Sequence, residues 1–100
     1  MKWFIYIAEE NSVNEGQGFR SLLLLDTKDS WEEAYKIMKE EGEILRERGW
    51  QEGCVSRSEH YCNDNWLEPD HGQDWKDWHT IQIIASTSTL RLAEKKGDQK

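Results

Sequence analysis

The side chains best suited to chemistry lie between Cys54 and His79, a stretch holding both cysteines and all three histidines of the chain. His60, Cys62, His71 and His79, together with Cys54, are donors of the kind that bind a soft divalent ion such as zinc. Their spacing speaks against such a site, because zinc ligands usually arrive as close repeats such as C-x2-C or H-x3-H, and neither occurs. Cys54 and Cys62 are also about 26 Å apart along a straight strand, so they reach one ion only if the chain bends. No metal and no other cofactor is expected, and the three histidines with Cys62 stand as candidates by donor type alone. Asp70, Asp74 and Asp77 around Gly72 do not follow the D-x-[DN]-x-[DN]-G order of a calcium loop. His60 and Cys62 form the only local pairing of base and thiol, and acidic surroundings raise a thiol's pKa and deplete its thiolate. There is no glycine-rich phosphate loop and no G-x-S-x-G turn. A non-enzymatic protein is the expectation.

The same stretch has a second chemistry. Residues 59 to 79 carry six acids (Glu59, Asp64, Glu68, Asp70, Asp74 and Asp77) against the single base Lys76, and three of the six tryptophans of the chain. Their net charge of −5 is most of the chain's −7, and the composition reads as an acidic surface segment unable to form a core strand or helix. Tryptophans supply interface energy and clustered carboxylates steer a cationic partner. The expected contact residues are therefore Glu59, Asp64, Trp66, Glu68, Asp70, Asp74, Trp75, Asp77 and Trp78. The competing expectation is that the indoles cover a sheet and leave only the acids outside. Negative charge disfavours direct contact with nucleic acid, since phosphate repulsion must be overcome first.

A scaffold must hold this segment. One hundred residues suffice for one domain with a modest core, read as residues 1 to 96 with a frayed tail at 97 to 100. The 33% of charged residues exclude a membrane-embedded chain, and 36% hydrophobic content excludes a disordered one. The apolar start, residues 3 to 8, is shorter than the core of a signal peptide and runs into Glu9 and Glu10, so it reads as a strand. A cytoplasmic protein with two free thiols is expected. Residues 19 to 25 read as a second strand after a turn-rich loop.

Ser30 and Glu33 have capping-box spacing, and Trp31, Ala34, Tyr35, Met38 and Leu45 fall on one stripe, giving a helix over residues 31 to 48 that stops at Gly49. Gly42 within it suggests a bend. Residues 54 to 62 read as a weaker strand, residues 80 to 87 as a strong one, and residues 89 to 96 as a short terminal helix.

The order β-β-α-β-loop-β predicts an α+β two-layer sandwich, with an antiparallel or mixed sheet packed on one long helix. Both faces of the first two strands carry apolar side chains. One helix covers one face, so the other needs a second cover: the tryptophan segment, the terminal helix, a second copy of the chain, or a partner.

In composition the chain resembles small acidic inhibitors that neutralise cationic nucleic-acid-handling proteins, namely toxin immunity proteins and phage anti-defence proteins of the anti-CRISPR kind. The resemblance implies an inhibitor of a basic protein partner. The alternatives are a homodimeric accessory protein using the sheet face around Phe4, Tyr6 and Leu23, and a small metal-binding regulator.

Overall fold

Alternating apolar side chains build the sheet, and one amphipathic helix closes it. The computed structural model describes residues 1 to 11, 21 to 69 and 79 to 91. Its elements are β1 (Trp3–Asn11), β2 (Ser21–Lys28), α1 (Trp31–Glu47), β3 (Gln51–Ser58), β4 (Tyr61–Leu67) and β5 (His79–Ser86). The five strands form one sheet in the order β2-β1-β5-β4-β3. Every neighbouring pair is antiparallel. With α1 on one face, this is an α+β two-layer fold. The last strand in sequence sits in the middle, flanked by the β1–β2 and β3–β4 hairpins.

Helix α1 begins where its chemistry says it should. Ser30 has extended backbone and its Oγ accepts from the Glu33 N–H at 3.2 Å, while Glu32 and Glu33 place negative charge at the N-terminal end of the helix dipole. At the far end Gly49 takes φ +94°, a conformation that favours glycine. The Gly49 N–H then bonds Arg46 O and the Trp50 N–H bonds Leu45 O, each at 3.0 Å, which is a Schellman closure. Ala34, Met38, Gly42 and Leu45 form the buried stripe. The helix is continuous through Gly42. The glycine serves close approach: a Cβ at this position would lie 2.9 Å from Trp66 Cζ2.

On the helix-facing side, Trp3, Ile5, Cys62, Trp66, Ile83 and Ala85 pack with Ala34, Met38 and Leu45. Of the five largest fully buried side chains, Ile5, Met38, Ile83 and Cys62 belong here and only Ile84 lies opposite, so this layer is the main core. Full burial of each large aliphatic side chain contributes about 1.5–3 kcal/mol. The opposite face is covered in another way. Tyr6, Ala8 and Ile84 are buried there with Phe4, Leu22, Tyr61 and Leu90 around them. The chain after β5 returns to this face, and the Leu90 N–H donates to Tyr6 Oη at 2.8 Å.

Three expectations are corrected. Residues 54 to 62 are not one strand: the chain turns at Glu59 and His60, so Arg57 faces Cys62 across two strands. Residues 59 to 79 do contain a core strand, because β4 lies between β3 and β5 with Cys62, Asp64 and Trp66 buried. Its period of two was hidden because Asn63 and Asn65 make the other face polar as well. The second sheet face is thus apolar along β1 and polar along β4, where Asn63 Nδ2 donates to Gln82 Oε1 at 2.6 Å. Residues 89 to 91 are not helical, and the rest of the expected terminal helix, residues 92 to 96, lies outside the described residues.

Candidate functional site

The acids expected to form one field are divided by the geometry of β4. Glu59 is exposed in the turn before the strand, whereas Glu68 follows its far end, about 23 Å away at the usual rise. Asp64 and Trp66 lie between them, facing α1, and retain only 8% and 3% of their exposure. Trp66 is therefore a core side chain rather than a surface anchor. Asp70, Asp74, Trp75, Asp77 and Trp78, together with His71, lie outside the described residues.

The structure does define where that connection starts and finishes. Asn11 of β1 pairs with His79 of β5, and the Glu68 N–H bonds His79 O at 3.1 Å, so the chain just before and just after residues 70 to 78 is joined at one end of the sheet. The His79 ring binds them together: Nδ1 lies 2.7 Å from Glu68 Oε1 and Nε2 lies 3.2 Å from Glu9 Oε2. Trp50, which leads into β3, meets the same ring edge-on at 5.6 Å between centroids. Three parts of the fold thus meet the imidazole carried by β5. The connection between β1 and β2, residues 12 to 20, leaves from the same end of the sheet.

A second feature was not foreseen. Between α1 and the β3–β4 hairpin lies a cleft of about 150 Å3, with Asp64 and Trp66 at its floor and Tyr35, Lys39, Arg46, Glu52 and Arg57 around it. Among the described residues neither Asp64 Oδ1 nor Trp66 Nε1 has a hydrogen-bond partner. Burial pushes the Asp64 carboxyl above the usual aspartate value, Glu52 adds to the effect, and Arg57 opposes it. The Cys62 thiol is likewise pushed up by burial and then by Asp64, against Arg57, which makes it a poor nucleophile. The available signal was the alternation of Cys62, Asp64 and Trp66; the contribution of Arg57 depends on cross-strand register.

The described members of the metal-donor set are scattered. Cys62 faces the helix, His60 is in the turn, His79 is at the opposite end of the sheet, and Cys54 is exposed on β3. Among the described residues no group of three or more His, Cys, Asp or Glu side chains is placed to hold a metal ion. Among the same residues no helix is long and apolar enough to cross a membrane. No protein-family model, no curated protein and no solved structure matches this chain.

Proposed function

We propose that this chain is a non-enzymatic, cytoplasmic binding module that engages a basic protein through the connection between β4 and β5, residues 70 to 78. The observation that carries the reading is the clamp at its base, where His79 ties Glu68 to Glu9 and the two chain ends are joined by a backbone bond. A recognition loop works best when a rigid scaffold fixes its ends. Residues 70 to 78 carry Asp70, Asp74 and Asp77 with Trp75 and Trp78, within a chain of net charge −7. Carboxylates presented together can occupy a groove shaped for phosphate, which favours as partner a nucleic-acid-handling protein that the module inhibits. Indoles among them supply the contact energy.

The test is affinity capture on the immobilised protein, with the Asp70→Lys/Asp74→Lys/Asp77→Lys variant as parallel bait. A basic protein should be retained by the wild type, released near ~1 M salt where the screening length falls to about 3 Å, and missing from the variant. Equal retention by both baits removes the reading.

One observation favours a second reading. Leu23 and Leu24, on the edge strand β2, are 62% and 49% exposed. Pairing of two β2 edges would cover them in a homodimer. The interface is then the edge around Leu23 rather than the face at Tyr6, which is already buried. Sedimentation showing a monomer at high concentration eliminates it.

A further inference from the structure

The cleft beneath α1 contains charges that the chain leaves unpaired although a pairing was within reach. Asp64 on β4 is aligned with Val55 on β3, and Arg57 lies two positions further along, facing Cys62. A diagonal Asp64–Arg57 ion pair is accessible to that geometry, yet no contact within 4.0 Å joins them. Arg57 instead rests over the Tyr35 ring, 5.3 Å from its centroid, and Asp64 Oδ1 has no partner. Arg46 does not fill the gap. It is engaged by Glu43 at 2.7 Å and Glu52 at 3.4 Å, and lies over the Trp66 ring at 5.4 Å.

Among the described residues two cations at the rim form no direct ion pair with a carboxylate: Arg57, and Lys39, whose Nζ lies 5.8 Å from the Tyr35 centroid. At the floor the buried Asp64 carboxyl feels the charge of Arg57 but, among the described residues, forms no direct ion pair with it. A buried polar group without a partner is destabilising, so a ligand that supplies the partner is favoured here. The space is there: 150 Å3 corresponds to about five waters at liquid volume. Gly42 contributes to the shape, since any side chain at that position would meet the Trp66 ring.

A complementary ligand carries a cation at one end for the floor and an anion at the other for the rim. A purely anionic ligand would meet Asp64 and Glu52, and a purely cationic one would meet Arg57 and Lys39. We propose that this cleft binds a small zwitterion of the α-amino-acid class, its ammonium on Asp64 and its carboxylate between Arg57 and Lys39. Glu52 on the neighbouring strand strengthens the field that holds the ammonium. The proposal uses no residue of 70 to 78 and stands independently of the role given to them above.

The experiment is a titration of the isotope-labelled protein followed through the indole N–H resonance of Trp66, the floor neighbour of Asp64. Glycine, L-alanine, L-serine and L-glutamine are the zwitterionic probes; methylammonium and acetate are the half-ligands. At least one zwitterion should give a saturable shift with a dissociation constant of about 1 mM or below, the half-ligands binding at least about tenfold more weakly. Asp64→Asn, which keeps the shape and removes the charge, and Arg57→Gln, at an exposed strand position, should each weaken binding by about tenfold or more. Unchanged resonances of the other indoles in both variants certify the fold. The proposal is overturned if no zwitterion saturates the shift by about 50 mM, if a half-ligand binds as well, or if either variant binds like the wild type.

Discussion

Replacing Asp64 by asparagine should stabilise the protein at neutral pH and leave its stability in mild acid unchanged. Asp64 is 8% exposed, its Oδ1 has no partner, and burial followed by Glu52 holds its carboxyl above the ordinary value while Arg57 opposes. The unfolded chain titrates this group near ~3.9, so above that pH the folded state binds more protons at this position than the unfolded one. Stability from this group is thus fully present below the unfolded pKa and is lost as pH rises through the folded pKa. A buried charged group without a direct partner costs more than a neutral one, by about 1 kcal/mol here because the nearby Arg57 guanidinium offsets part of it. Asparagine keeps an unpaired oxygen but removes the charge. A gain of about 1 kcal/mol at pH 7.5 follows, equivalent to about 4–8 °C in Tm for a domain of this size. Urea unfolding of both proteins at pH 4 and pH 7.5 measures the difference directly. A variant that is less stable at pH 7.5, or a difference identical at both values, refutes the reasoning. A stabilising substitution that also removes amino-acid binding marks the aspartate as kept for function at the expense of stability.

Gly42→Ala gains up to about 1 kcal/mol of helix propensity, yet its Cβ would stand 2.9 Å from the Trp66 ring. Overpacking costs about 1–3 kcal/mol, so thermal unfolding should show a net loss; a raised Tm means the ring yields freely. Ser30→Ala removes the acceptor for the Glu33 N–H and should cost about 1 kcal/mol, while Ser30→Asp should restore most of it. Cys54 is exposed whereas Cys62 is buried with its thiol pushed up. A thiol reagent at pH 8 should therefore modify one cysteine quickly and the second only on unfolding; equal rates contradict the packing of Cys62 under α1.

The elements written in local chemistry were legible. Ser30 with Glu33, the stripe from Ala34 to Leu45 and the stop at Gly49 define α1 within one residue. Strands β1 and β5 were recognisable from β-branched and aromatic residues and β2 from its short run of leucines after turn residues, and with the helix they fix the α+β class. Strand β4 was not legible, because Cys62, Asp64 and Trp66 on one face and Asn63 and Asn65 on the other average to a polar stretch. The order β2-β1-β5-β4-β3 rests on non-local pairing that no local pattern encodes. The candidate contact residues were grouped by contiguity in sequence. A strand running through the group sent Asp64 and Trp66 inward, left Glu59 at one end and tied Glu68 to His79 at the other. The cleft depends on Arg57 approaching Asp64 from another strand, across a register shift between Glu52 and Val55.

The most direct test of the binding role is the association rate between the captured basic partner and the chain, measured for wild type and for Asp70→Lys/Asp74→Lys/Asp77→Lys at low and high ionic strength. The wild-type rate should fall steeply with salt, and the variant should associate at least about tenfold more slowly at low salt with little dependence on it. Equal rates and equal salt slopes for the two proteins contradict a docking role for residues 70 to 78.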